Sequence, residues 1–274
     1  MLADNLDVIV TIPTENMGNA PTDLGDRYAT SPASTFQFLA VPTFQTEYAK
    51  PEVRKAISMA IDRDEIIKSI FKNSQASARS FVSPVVGGYR EDTCGASCQF
   101  NAATAKAQYT AAGGPAKIQI SYNGDGGHKD WVDATCNQLK TNLGVDCTGV
   151  AEAKFADLLT KVEAKQNVGL FRMGWVMDYP SMENYLGPIF TTNGSSNYYG
   201  YSNPTSTSSS RRHQGRGRGG GHRQVPGGRG PARRRHAGDP AALRPEQLRL
   251  LVEGAERGHR PVPAVDLFKI EAVS

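Results

Sequence analysis

Three residue types within seven positions, Arg172, Trp175 and Asp178, stand in the stretch Val168-Gly-Leu-Phe-Arg-Met-Gly-Trp-Val-Met-Asp178-Tyr179-Pro180. A guanidinium can hold a carboxylate, a carboxylate can hold an ammonium, and an indole can line a pocket for what lies between them. Together they suit a small zwitterion. The alternative is that Trp175 is core and that Arg172 and Asp178 pair with each other. The stretch opens as an apolar run of strand length, so the three residues fall at a strand's exit. In open α/β sheets, ligands gather beyond the carboxyl ends of the strands.

Other chemistry has less material. Asp62, Asp64 and Glu65 look like paired carboxylates, but a helix cap and a solvated helix face account for them. His128 is the only histidine outside residues 205–263, which leaves nothing for a histidine triad or a multi-histidine metal site. Neither catalytic residues, nor a metal, nor a cofactor is expected. Gly124-Asp-Gly126-Gly127 reads as a strand-to-helix turn, not a phosphate loop. Asn193-Gly-Ser195 matches a glycosylation sequon.

The elements that position the stretch alternate. Phe36 to Val41 reads as a buried strand. Pro51 opens a helix with Val53, Ala56, Ile57, Ala60 and Ile61 at helical spacing. Asp62 ends it and caps a second, with Glu65 completing a capping-box pattern before Ile66 and Ile67. Residues 73–100 are loop, and 101–112 an Ala-rich helix stopped by Gly113-Gly114-Pro115. Next comes a βαβ unit: strand Lys117 to Asn123, helix His128 to Leu143 (Trp131, Thr135, Leu139 and Leu143 on one face), Gly144, and strand Val145 to Val150. A helix over Lys154 to Lys165 leads into the Arg172 stretch, and Met182 to Phe190 makes another. Residues 1–35 read as a strand at 6–10 followed by an extended connection with little helical periodicity. The alternation predicts an α/β fold.

The four cysteines fall in two close pairs, Cys94 with Cys98 and Cys136 with Cys147. Two local disulfides are expected, and with them an oxidising compartment. No apolar run is long enough to span a bilayer, and residues 1–20 lack the pattern of a signal peptide.

The net charge of +4 averages two unlike parts. Residues 205–263 hold thirteen Arg, no Lys and four acids, giving +9; the rest, with eighteen bases and twenty-three acids, comes to −5. That segment has no aromatic residue, so it offers nothing to stack on bases, although its arginines would neutralise phosphates. A basic nucleic-acid-binding tail is the rival reading, and no specific nucleic-acid partner is expected. Out-of-frame translation of a G+C-rich gene would also give this Arg, Gly, Pro, Ala and His composition.

Three segments carry a family resemblance: Pro51-Glu-Val-Arg54-Lys-Ala-Ile-Ser-Met-Ala-Ile-Asp62-Arg63, Gly174-Trp175-Val-Met-Asp178-Tyr179-Pro180, and Asn197-Tyr-Tyr-Gly-Tyr201-Ser-Asn203-Pro204. In this order, over roughly residues 1–204, the chain resembles the peptide/nickel-type (family 5) substrate-binding proteins of ABC transporters. The resemblance implies a periplasmic-binding-protein-like (type II) α/β lobe with the other lobe largely missing, the chain starting about where such proteins cross into their second lobe. It implies a remnant of the first lobe and crossover at 1–40, the ligand-binding lobe at 41–187, a return towards the first lobe at 188–204, the anomalous segment 205–263 and a tail at 264–274. It further implies an oligopeptide or dipeptide ligand, with Asp178 meeting the α-ammonium, Arg172 the carboxylate, Trp175 lining the pocket and Tyr179 beside them. The implied partners are membrane permease subunits, and the implied location is extracytoplasmic, as a membrane-anchored lipoprotein. Nickel or a sugar is the alternative cargo.

Overall fold

The computed structural model describes residues 12, 16–30 and 32–204. The strand expected at 6–10, the segment 205–263 and the tail 264–274 lie outside the described residues.

Helical and strand periods segregate cleanly along the chain. Strands β1 (Phe36–Ala40), β2 (Lys117–Asn123), β3 (Asp146–Glu152) and β4 (Leu170–Trp175) form one sheet in the order β1-β4-β2-β3. β2 runs parallel to β3 and β4, and β1 antiparallel to β4. The helices are α1 (Ala20–Leu24), α2 (Pro51–Met59), α3 (Arg63–Ser69), α4 (Ala102–Ala112), α5 (Lys129–Leu143), α6 (Phe155–Glu163) and α7 (Met182–Phe190).

Period-two alternation puts the sheet's apolar residues on two faces. One face, with Ile118, Ile120, Tyr122 and Leu170, packs with Val53, Ala56 and Ile57 of α2, Ala105 and Tyr109 of α4, and Val132 and Leu139 of α5. The other, with Phe171 and Met173, packs with Leu158 and Val162 of α6 and Ile189 of α7. Helices thus cover both faces, as a parallel sheet requires. Burying each Leu or Ile removes about 1.5–3 kcal/mol of unfavourable hydration. Both expected disulfides are present. Cys136–Cys147 ties α5 to β3 inside the first core, whereas Cys94–Cys98 closes a short turn at its margin.

Three expectations change. Residues 16–27 are not extended: Asn19 O accepts from the N–H groups of Thr22 and Asp23, Pro21 sits in the first turn, and α1 forms with only Ala20 buried. One buried residue gives no periodicity to read. Asp62 does cap α3, its Oδ1 accepting from Glu65 N at 3.0 Å, but the reciprocal arm is replaced. Gln138 of α5 accepts from Asp62 N at 2.8 Å and donates to Glu65 Oε2 at 3.0 Å, so the cap also locks α3 to α5. Finally, β4 starts at Leu170 rather than Val168, because Gly169 adopts φ 76° and leaves Val168 exposed.

Candidate functional site

β2 and β4 are neighbours running in the same direction, Ile120 pairing with Leu170 and Ser121 with Phe171, so both point their carboxyl ends to one end of the sheet. β4 delivers Trp175 as its last residue and Asp178 just beyond. Trp175 is half-buried between two apolar clusters, and Asp178 is exposed.

A residue with no signal in the sequence joins them. Asn184, buried in α7, accepts through Oδ1 from Trp175 Nε1 at 3.2 Å and from Asp178 N at 2.9 Å. Its Nδ2 donates to Asp178 Oδ2 at 3.1 Å. The buried amide therefore uses both ends, fixing the indole and aiming the carboxylate. Ser181 starts α7 by accepting from Glu183 N at 3.2 Å, which puts Asn184 on the turn facing β4. Tyr179, also exposed, donates its hydroxyl proton to Glu183, and that bond raises the phenol's pKa.

Arg172 does not join this group, and it makes no ion pair with Asp178. It lies inside β4, where strand alternation sets it with Leu170 and Gly174 and against the direction of Phe171, Met173 and Trp175. Its guanidinium reaches the end of β2 instead. Nη1 donates to Asn123 Oδ1 at 3.4 Å, and the Phe155 ring lies 5.8 Å from the guanidinium carbon. Nε is buried without a partner among the described residues. Burial disfavours the charge, and Asp125 opposes that effect.

The Gly124–Gly127 turn completes this second cluster. Buried Asn123 donates to Asp125 Oδ1 at 2.6 Å, and that bond holds the Asp125 carboxyl below its usual range. His128, 7% exposed, accepts at Nδ1 from Trp131 Nε1 at 3.1 Å. Gly126 leaves room for His128 and Asn123, because a Cβ there would stand 2.5 Å from His128 Nε2 and 2.6 Å from Asn123 Nδ2 and displace them. Trp131, packed against the main core, thereby also fixes a histidine tautomer.

Burial first, and the Arg172 charge second, push His128 down from 6.5 to about 4. Unfolding would restore the ordinary value, so between these two pH values the unfolded chain binds the extra proton. The resulting stability is fully present above 6.5 and is lost as pH falls towards 4. Urea unfolding at pH 7 and at pH 4.5 should give a drop in stability that is smaller in His128→Gln by about 2 kcal/mol, after allowance for solvent screening. An equal drop in both proteins would contradict the assignment.

An open cavity of about 560 Å³ elsewhere, lined by Asp64, Ile67, Arg79, Pro84, Tyr89 and Glu91 among others, includes none of Arg172, Trp175, Asp178 or Tyr179. The site thus presents two polar groups towards the carboxyl ends of the central strands β4 and β2.

Comparison with known proteins matches residues 1–197 to the bacterial extracellular solute-binding proteins, family 5 Middle. The chain is 28% identical over 206 residues to the oligopeptide-binding protein OppA of Bacillus subtilis (strain 168), an overlap covering 70% of this chain and 36% of OppA. It is 26% identical over 212 residues to the periplasmic murein peptide-binding protein MppA of Escherichia coli (strain K12), covering 74% and 38%. A solved structure of the E. coli murein tripeptide-binding protein MppA matches with a TM-score of 0.67 at 25% identity, over 76% of this chain and 42% of that one. The chain spans less than two fifths of the length of either curated relative. With the family matched over residues 1–197, most of the chain, and a solved relative superposing at a TM-score of 0.67, the chain belongs to the bacterial extracellular solute-binding proteins of family 5.

Proposed function

We propose that the protein is the extracytoplasmic solute-binding component of an ABC importer and holds peptides by their termini and backbone. Asp178 takes the α-ammonium, Trp175 lies along the first residue, and Arg172 takes the carboxylate of a peptide lying across the carboxyl end of the sheet. Tyr179 flanks the ammonium end. OppA and MppA, named for oligopeptides and murein peptides, favour a peptide over nickel or a sugar. Both relatives are binding proteins, and the arrangement is read as binding without catalysis. Residues 41–187 act as the ligand-binding lobe. Residues 1–40 and 188–204 lead to and from the first lobe, and membrane permease subunits receive the ligand.

The observation that carries the reading is the Asn184 brace: a buried amide committed to aiming one exposed carboxylate beside an indole. A carboxylate used only as surface charge has no need of it. Arg172, whose Nε lacks a partner among the described residues, keeps donor capacity for a second charge. Charge-assisted hydrogen bonds at each terminus give affinity common to all peptides and little side-chain selectivity.

Isothermal titration of the full-length gene product with di- to pentapeptides tests this. A charge-assisted bond is worth about 1.5–3 kcal/mol, so Asp178→Ala should weaken binding by about tenfold to a hundredfold. Equal binding by both proteins, or none by either, defeats the reading.

A further inference from the structure

We propose that residues 79–94 form a wall beside Trp175 that is clasped by the Cys94–Cys98 disulfide, so that reducing this one bond loosens the wall and weakens the site. The inference rests on the reading of Trp175 and Asp178 as the ammonium end of the ligand site.

The segment contains no helix or strand, and its two ends meet in a narrow neck. Thr93 Oγ1 donates to Ser80 Oγ at 2.9 Å, Arg79 Nη1 lies 3.7 Å from Asp92 Oδ1, and Cys94 N donates to Arg79 O at 3.5 Å. Such a neck is weak, because an exposed ion pair contributes little and the backbone bond is long. Beyond it the loop turns inward. Val82 and Val86 are buried with Tyr185 of α7, and Val85 and Tyr89 pack in the same cluster as Trp175, Met177 and Met182. Gly88 lies so close to α7 that a Cβ would stand 3.1 Å from Met182 Cε. Ser83 Oγ donates to Ala33 O at 2.8 Å, just before β1. The tip of the loop is therefore part of the apolar surround of the indole.

On the carboxyl side of the neck the chain is fixed. Ser58 Oγ donates to Ser97 O at 2.6 Å and Asn101 N to Met59 O at 2.9 Å, which bolts the turn Gly95–Cys98 to the end of α2. The disulfide joins this bolted turn to Cys94 at the neck, with a Cα–Cα distance of 5.7 Å. Besides the peptide bond from Cys94 to Gly95, it is a second covalent tie that pins the end of a loosely closed loop against the rigid core. On the outer side the loop borders the open cavity shared with Asp64 and Ile67 of α3, so it has room to move once released.

The second disulfide gives the contrast. Cys136 and Cys147 are 4% and 1% exposed within the main core, out of reach of a reductant while the fold is closed. Cys94 and Cys98 are both partly exposed. A dithiol can therefore act at the clasp alone. One of its thiolates attacks a clasp sulfur, breaking the Cys94–Cys98 bond and releasing the other cysteine as a thiolate that takes up a proton. Its second thiol then displaces the first cysteine from the mixed disulfide. Two electrons pass to the protein, and the dithiol leaves as its own disulfide.

Brief exposure of the full chain to low dithiothreitol, with iodoacetamide trapping, peptide mass mapping, hydrogen exchange and titration with trialanine, tests the proposal. Cys94 and Cys98 should be alkylated while Cys136 and Cys147 stay bridged. Amide exchange in 79–94 should accelerate by about tenfold or more, with α5 unchanged. Trialanine affinity should fall by about threefold as the wall loses its preorganisation. The double variant Cys94→Ser/Cys98→Ser should match the reduced protein without reductant. Release of both disulfides together, or unchanged exchange in 79–94, would overturn the clasp. Faster loop exchange at unaltered trialanine affinity would overturn its control of the site. Asp178→Ala, run alongside, separates the two readings: if it too leaves trialanine affinity unaltered, the site assignment falls, and the clasp's control over it falls with it.

Discussion

Gly169→Val should destabilise the protein by about 2–4 kcal/mol, the sum of a left-handed backbone penalty near 1–2 and an overpacking cost of similar size. Gly169 has φ 76°, and a Cβ there would lie 2.6 Å from Gln119 O and 3.1 Å from Gln119 N, both backbone atoms of β2. Neither can rotate away as a side chain would. The displaced strand would be β4, which is joined to β2 through only two paired positions, Ile120 with Leu170 and Ser121 with Phe171. Since a domain is stable by about 5–15 kcal/mol, the loss is a large share of the whole. Equilibrium urea unfolding followed by tryptophan fluorescence reads it. A shift smaller than about 1 kcal/mol would mean that the chain relaxes around the new side chain.

Asn184→Leu is the second large effect. It strips the partner from Trp175 Nε1, from Asp178 N and from one Asp178 carboxylate oxygen at once. Asp178 can turn to water, but the half-buried indole N–H cannot turn as freely. A stability loss of about 2–3 kcal/mol is expected, the usual cost of leaving partly buried polar groups unpaired. Asn184→Asp keeps the two acceptor bonds and sets a carboxylate against Asp178. It should recover more than half of the stability while still binding peptides poorly. Unfolding and peptide titration of the two variants separate the packing role from the aiming role. If Asn184→Leu were as stable as the parent and bound peptides as well, Asn184 would brace nothing.

Period and punctuation decide how much of the fold is legible in the sequence. Pro51 and the spacing of Val53, Ala56 and Ile57 mark α2 because one face of it is buried, and the alternation from Lys117 to Asn123 marks β2 because Ile118, Ile120 and Tyr122 enter the core while Lys117 and Gln119 stay exposed. Asp62 is legible as a cap because a cap is a local device, satisfied within three residues. Gln138 is not legible as the other half of that cap, because it comes from 76 residues away. The same division runs through the site. Arg172, Trp175 and Asp178 stand out by type, and Trp175 and Asp178 also by their place at the exit of β4, of which Arg172 is an interior residue. Their grouping does not, because alternation within β4 sends Arg172 to the Asn123 and His128 cluster while Trp175 and Asp178 share Asn184. Which strand lies beside β4 decides the first, and the packing of α7 decides the second. Neither is written in a local period. Asn184 carries no sequence signal of its own, because Glu183 beside it is also polar and no local pattern separates a buried amide from a solvated one.

A titration with paired ligands reads directly whether Asp178 holds a peptide's ammonium. Trialanine and N-acetyl-trialanine are titrated into the full-length gene product and into its Asp178→Ala variant. If the carboxylate meets the ammonium, acetylation should weaken binding to the parent by about tenfold or more and alter binding to the variant far less, because the charge it removes has already lost its partner. Equal losses on acetylation in parent and variant would contradict the account, since the ammonium would then be bound somewhere other than Asp178.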